Sequence, residues 1–273
     1  MSWHGRLALH YRRDGERTVG HDAHEGPLRV LKALYPEGER ICHHVLVHPP
    51  GGIAGGDRLD VELTLDAGTH TLITTPGAAR FYRSAGAAAV QSVRVRLEVD
   101  ARFEWLPLES IAHSGCRATN ALAFELAPGA QLLGWDVLAL GLPASDAPFA
   151  AGHFEQRIEW PGVWLERGRI DAGDTRLRTS ALGLAGHDVL ACAWFASGSA
   201  WSDAERGQLL EAARAVTHDG LRAGATAPDP RLVVVRMLGP RVEPVMAHLA
   251  AVRAAWRRAA WGLDAAPPRV WRT

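Results

Sequence analysis

Apolar and polar residues alternate with a period of two along much of this chain, and tight-turn residues cut the alternation at nearly even intervals. Leu59, Val61, Leu63 and Leu65 interleave with Arg58, Asp60, Glu62 and Thr64, while Val93, Val95, Leu97 and Val99 interleave with Arg94, Arg96 and Glu98. Only an extended strand sorts such a pattern onto two faces, because its successive side chains point to opposite sides. The turns DAG at 66–68, DA at 100–101, PG at 128–129 and PG at 161–162 punctuate it, their starts separated by 34, 28 and 33 residues. A loose period of this size predicts a mainly β fold of stacked strands and hairpins. An antiparallel meander accounts for the pattern equally well.

Two segments follow a helical period instead. Ser202-Asp-Ala-Glu205 is a capping box, which predicts a helix running to about Thr217 and stopping at His218-Asp-Gly220. A second helix is predicted to begin near Pro244, with Val245, Leu249, Val252, Trp256 and Ala259 on one face and His248, Arg253 and Arg257 on the other, and to end at Gly262. LVVVRML at 232–238 reads as a buried strand between them. No linker or shift of composition divides the chain, so residues 1–273 are expected to form one domain, β-rich over 1–200 and helix–strand–helix over 201–273.

HPPGGIAGGD at 48–57 must be a shaped loop, since four glycines and two prolines in ten residues suit neither helix nor regular strand. Gly51, Gly52, Gly55 and Gly56 shape it, and Asp57 closes it at the mouth of the first alternating strand. An ordinary turn capped by Asp57 explains these residues as well as a functional loop does.

Composition narrows the chemistry. With 30 basic and 30 acidic residues the formal net charge is zero, which gives no argument for nucleic acid or a membrane surface and suits protein partners. Lys32 is the only lysine, so the glycine loop is not a Walker-type nucleotide cradle. Three cysteines without a C-x-x-C pair indicate neither a disulfide framework nor a zinc knuckle. No apolar run reaches a membrane span and the N-terminus has no signal-like apolar core, so a cytoplasmic protein is expected.

Five motifs, HPPGGIAGGD at 48–57, TTPGAARFYRS at 74–84, EWLPLE at 104–109, GWD at 134–136 and PRVWR at 268–272, together resemble the UreD (UreH) family of urease accessory proteins. They are spread in order over nearly the whole chain. Arg80 departs from the Lys usual there, and Leu142 from the common Arg. The resemblance implies a β-helix-like fold with two helices and a non-enzymatic role: scaffolding the accessory proteins UreF and UreG on the urease apoprotein and helping to deliver nickel, with UreG supplying the GTPase and no tightly bound cofactor. It also implies an internal passage for nickel. Asp57 and Ser84 lie in two of these motifs and Glu166 in WLER at 164–167, and Asp60, Glu109 and Asp136 are further carboxylates at strand ends; these six are the candidate lining. Structural ion pairs account for the carboxylates equally simply.

Other candidates are weaker. Cys42, His43, His44 and His48 cluster ahead of the loop, but on a strand His44 and His48 share one face while His43 points away, leaving at most a partial, transient metal site. Ser114 and Cys116 beside His113 lack a nucleophile elbow. The rival function is a β-solenoid hydrolase acting on a polysaccharide or small ester. Partner contact is expected at Arg80, Tyr82 and Arg83, and at Trp256, Arg257, Trp261, Arg269 and Trp271, because Trp and Arg dominate interface hot spots.

Overall fold

The computed structural model describes residues 2–272; Met1 and Thr273, the first and last residues of the expected domain, lie outside them. In chain order the strands are β1 (His4–Asp14), β2 (Arg17–Glu25), β3 (Arg29–Val30), β4 (Ile41–Val47), β5 (Arg58–Leu65), β6 (His70–Thr74), β7 (Ala79–Phe81), β8 (Ala89–Leu97) and β9 (Arg102–Leu106). They continue with β10 (Ser110–Ala112), β11 (Cys116–Leu126), β12 (Gln131–Leu142), β13 (Ala147–Pro148), β14 (Gly152–Trp160), β15 (Trp164–Asp171), β16 (Val189–Ser197), β17 (Arg222–Asp229) and β18 (Leu232–Gly239). The α-helices among the described residues are α1 (Thr175–Thr179), α2 (Asp203–Arg214) and α3 (Val242–Trp261).

The alternating segments do not pair as hairpins. β5, β8, β11 and β14 lie side by side in parallel in a seven-stranded sheet. β4, β6, β9 and β12 do the same in an eleven-stranded sheet, and the short β7 and β10 add a third parallel face alongside β12. The chain therefore coils from one sheet, round a corner, through the second sheet and the short face, and back. The turns at 66–68, 100–101 and 128–129 are corners, and they stack. Gly68 N–H donates to Val99 O at 3.0 Å, Arg102 N–H to Thr69 O at 2.7 Å, Asp100 N–H to Pro128 O at 3.2 Å and Gln131 N–H to Ala101 O at 2.8 Å. The left-handed backbone at Gly68 and Gly129 explains their glycines. Only PG at 161–162 is a hairpin turn, joining β14 to β15 antiparallel. Corner turns and hairpin turns need the same residues, so the period of strands was readable while its parallel pairing was not.

Two cores result. The inward-facing residues of both sheets, among them Leu59, Val61, Val93, Val95, Phe124 and Leu132, fill the coil. The outer face of the eleven-stranded sheet, with Leu133, Trp135, Val137, Phe195, Val233 and Val235, is covered by α2 and α3.

α2 begins at the expected capping box, with Ser202 and Glu205 satisfying each other's backbone N–H, but it ends at Arg214 and not Thr217. α3 starts two residues before Pro244 and ends at Gly262, which adopts the left-handed cap. The expected division of its faces is corrected, since His248, Arg253 and Arg257 are as buried as Val245, Leu249, Val252 and Trp256. Arg253 and Arg257 can be buried because both meet Glu104 of β9. Arg253 Nε donates to Glu104 Oε2 at 2.8 Å, Arg257 Nη1 donates to Glu104 Oε1, and Arg257 Nη2 donates to Glu37, which also accepts from His43 Nε2 at 2.8 Å. Burial alone would raise the Glu104 carboxyl, but Arg253, His70 and Arg257 outweigh it and hold it down at about 2. His70 is kept neutral by burial, so its Nε2–H donates to Glu104 at 3.1 Å. The helix is thus clamped by a buried ionic cluster as well as by apolar packing. No helix among the described residues is long and apolar enough to cross a membrane.

Candidate functional site

Between the sheets, towards the short third face, lies a cavity of about 190 Å³. Its walls are the inward positions of β5, β8 and β11, the segments 75–80 and 105–110, and the first half of the glycine loop with His48. The loop is held by backbone pairing, Ile53 N–H donating to Arg80 O at 2.7 Å and Tyr82 N–H to Ile53 O at 2.9 Å. The Tyr82 ring packs directly on Gly52, where a Cβ would sit 1.9 Å from it and displace it.

One carboxylate reaches this cavity. Asp136 stands at an inward position of β12 and is 7% exposed. Gln91, Asn120 and Gln156 occupy a single register on the adjacent parallel strands β8, β11 and β14, so their amides form a ladder across the opposite sheet. Asn120 Nδ2 donates to Asp136 Oδ2 at 2.7 Å, Gln156 Nε2 donates to Asp136 Oδ1, and Gln91 Nε2 donates to Asn120 Oδ1 at 3.0 Å. Among the described residues no cationic side chain is ion-paired with it, although Arg80 lines the same cavity, so burial pushes the Asp136 carboxyl up to about 7 against the pull of the two amides. Sequence reading missed the three amides. Their signal was there: each is polar at a position where its strand's alternation calls for an apolar residue, as Gln91 between Ala89 and Val93.

That shift has a measurable sign. The folded protein holds a proton on Asp136 between the ordinary carboxylate value of 3.8 and about 7, where the unfolded chain has lost it, so this group's contribution becomes unfavourable as pH rises through that window. Asp136→Asn is therefore expected to be more stable than the wild type by a margin that grows from pH 4 to 7 and is constant above. The margin is on the order of a few kcal/mol. Amides at 120 and 91 can reverse their donor and acceptor ends to suit Asn. Urea unfolding at pH 4, 6 and 8 measures it, and an equal or lower stability of the variant at pH 8 contradicts the assignment.

The other predicted lining residues fall elsewhere. Asp57 takes the capping role, accepting from Trp3 N–H at 2.8 Å and Ala54 N–H at 2.9 Å. Asp60 is corrected to the outer face of β5, where the same alternation that buries Leu59 and Val61 turns it outward to Arg58 and His4. Glu166 of β15 is likewise not on the cavity; it pairs with Arg236 of β18, Nε to Oε2 at 3.0 Å, and so ties the edge strand of the seven-stranded sheet to the strand next to the edge of the other. Ser84 lies behind the glycine loop, its hydroxyl donating to Ala87 O, and leaves no room for a side chain at Gly55. Glu109 stands between the lining residues Leu108 and Ser110. Of the loop glycines, Gly51 and Gly52 line the cavity, while Gly55 and Gly56 lie against Ser84 and Ala87.

No cage forms at Cys42–His48. His44 is buried, its Nδ1 accepting from Tyr11 OH at 2.6 Å, with its pKa lowered by burial to about 4. His43 faces Glu37, and burial pushes the Cys42 thiol up to about 11. His48 alone of the cluster lines the cavity. Among the described residues no group of three or more His, Cys, Asp and Glu is placed to hold a metal. Nor do the nucleophile candidates pair: Ser114 Oγ accepts from Ala150 N–H at 3.2 Å, and the His113 ring packs on Tyr82 at 5.0 Å.

The expected partner residues divide. Arg80, Tyr82, Arg83 and Arg269 are exposed. Trp256 and Arg257 are corrected to the core, Trp256 Nε1–H donating to Leu209 O at 2.9 Å. Trp261 and Trp271 are turned onto the chain's own sheet, donating to Gln131 at 2.6 Å and to Thr74 Oγ1 at 2.7 Å. Indole N–H groups on an amphipathic helix and tail find these acceptors at home because the outer face of the sheet supplies them.

Fold and site together define a β-helix-like protein with a helical flank and a small polar-floored cavity, lacking the paired groups of a nucleophilic hydrolase among its described residues. The comparisons then fix the family. A family model described as UreD urease accessory protein matches residues 4–272, and the chain belongs to that family. It is 58% identical to the urease accessory protein UreD of Leptothrix cholodnii over 278 residues, covering 100% of both chains. It is 56% identical to that of Albidiferax ferrireducens and 57% identical to that of Polaromonas naphthalenivorans, each over 274 residues and 99% of both chains.

Proposed function

We propose that this chain is a non-enzymatic urease maturation factor that binds the urease apoprotein together with UreF and UreG and lets nickel pass through its interior cavity, UreG supplying the GTPase. The observation that carries the reading is Asp136, the one carboxylate among the described residues that lines the cavity, buried there and not ion-paired with any described cationic side chain. A buried charge without a counter-ion is costly, and it fits a cationic visitor. The nickel is cargo, held by groups weak enough to release it. Arg80, Tyr82, Arg83 and Arg269 remain as exposed residues for partner contact in this reading.

Gly77→Arg tests the route. Gly77 lines the cavity, is exposed, has no left-handed backbone, and a Cβ added there meets nothing within 4 Å. A long cation at that rim obstructs and repels a dication without disturbing the core. Urease matured with this variant is expected to be nickel-poor while the variant still co-purifies with UreF, UreG and urease. Full nickel content with the complexes intact overturns the route.

A further inference from the structure

The cavity offers a cation few direct ligands but many hydrogen-bonding ones. Among the described residues no cysteine or methionine lines it, and His48 is its one imidazole. Asp136 already accepts one amide N–H on each oxygen, and Asn120 Oδ1 accepts from Gln91, so each of these oxygens has about one lone-pair direction left. That is too little for a cage of direct metal bonds. It is the right number of acceptors for the O–H groups of water.

Volume points the same way. At the roughly 30 Å³ a water occupies in the liquid, a first shell of six needs roughly 180 Å³, about what the cavity's 190 Å³ holds. Small dications shed their water reluctantly, and recognition through a retained shell avoids that cost. We propose that Gln91, Asn120 and Asp136, which line the cavity, with Gln156 bonded to Asp136 and holding it in place, form a binding site for a hydrated divalent cation, recognised through its water ligands and not by direct metal–protein bonds. The inference rests on the cavity's being a cation route and specifies the species that travels it. Amides from three consecutive coils reach the site at one register, so the parallel stacking of the strands builds it. Asp136 supplies the charge, and Asn120 and Gln156 are positioning residues that fix where its remaining lone pairs point.

Hexaamminecobalt(III) separates this from direct coordination, because its ammines do not exchange and present N–H where a hydrated dication presents O–H. The full chain is dialysed against radiolabelled Ni²⁺, and hexaamminecobalt(III) is added as competitor. The proposal expects displacement of the nickel, with binding of both ions weakened roughly tenfold or more in Gln156→Met and Asn120→Leu, and unchanged in Glu166→Ala. X-ray absorption of the nickel-loaded wild type is expected to show a first shell of water oxygens, which tests the idea even where a variant fails to fold. Nickel binding that hexaamminecobalt(III) does not displace, a shell containing protein nitrogen or several carboxylate oxygens, or no nickel binding by the wild type overturns it. These outcomes are distinct from failure of the route: Gly77→Arg can leave urease nickel-poor while hexaamminecobalt(III) fails to compete, or the reverse.

Discussion

Replacing Glu104 by Gln is expected to lower the free energy of unfolding by about 3–5 kcal/mol, the usual cost of removing one partner from a buried ion pair. Gln keeps the shape of Glu104 and loses its charge, so of Arg253 and Arg257, which are 2% and 0% exposed, Arg257 would keep the Glu37 carboxylate and Arg253 only the Ala266 carbonyl. Their desolvation cannot be recovered from water. Replacing Glu104, Arg253 and Arg257 together by Met is expected to restore most of the loss, since an apolar cluster of similar volume needs no compensation. The pH sign is opposite to that of Asp136. Because the Glu104 carboxyl is held at about 2, below its ordinary 4.5, its contribution is fully present above that ordinary value and is lost as pH falls through about 2. Urea unfolding of the single and triple variants at pH 7 measures the effect. A single variant within 1 kcal/mol of wild type would show that the helix is held by its apolar face alone.

This cluster also marks where sequence reading stopped. Glu104 stood in a recognised motif, but its partner Arg253 lies 149 residues away, and no local period reports a contact of that separation. A charged residue on an amphipathic helix is read as solvent-facing by default, which mis-set Arg253 and Arg257. By contrast, the strands at 58–65 and 93–97, the capping box at Ser202 and the stop at Gly262 rest on neighbours within a few residues, and there the pattern agreed with the structure. The cavity was half legible. Asp136 is the one charged residue in the long apolar run of β12, and it was named; Gln91, Asn120 and Gln156 each looked like an ordinary polar residue until parallel coiling brought them into line. Asp60 and Glu166 looked like Asp136 in sequence, and only their burial and partners separate them.

Asp136→Asn is expected to reduce the nickel content of urease by roughly tenfold or more, the consequence of losing about 1.4 kcal/mol or more of attraction for a dication. A unit charge inside a poorly screened wall supplies at least that much. The same variant is expected to be more stable than the wild type at neutral pH, because it removes a carboxylate whose ionisation burial opposes. Few structural accounts predict both changes at once. A residue kept only for folding would lose stability and nickel delivery together, whereas a residue kept for a passing cation costs stability and is needed for delivery. The deciding measurement is therefore made on one preparation: urease nickel content and complex formation with UreF and UreG for Asp136→Asn, beside the variant's own unfolding free energy at pH 8. A more stable variant that assembles normally and leaves urease nickel-poor is the predicted result; fully nickel-loaded urease from that same stable, assembling variant would contradict the account.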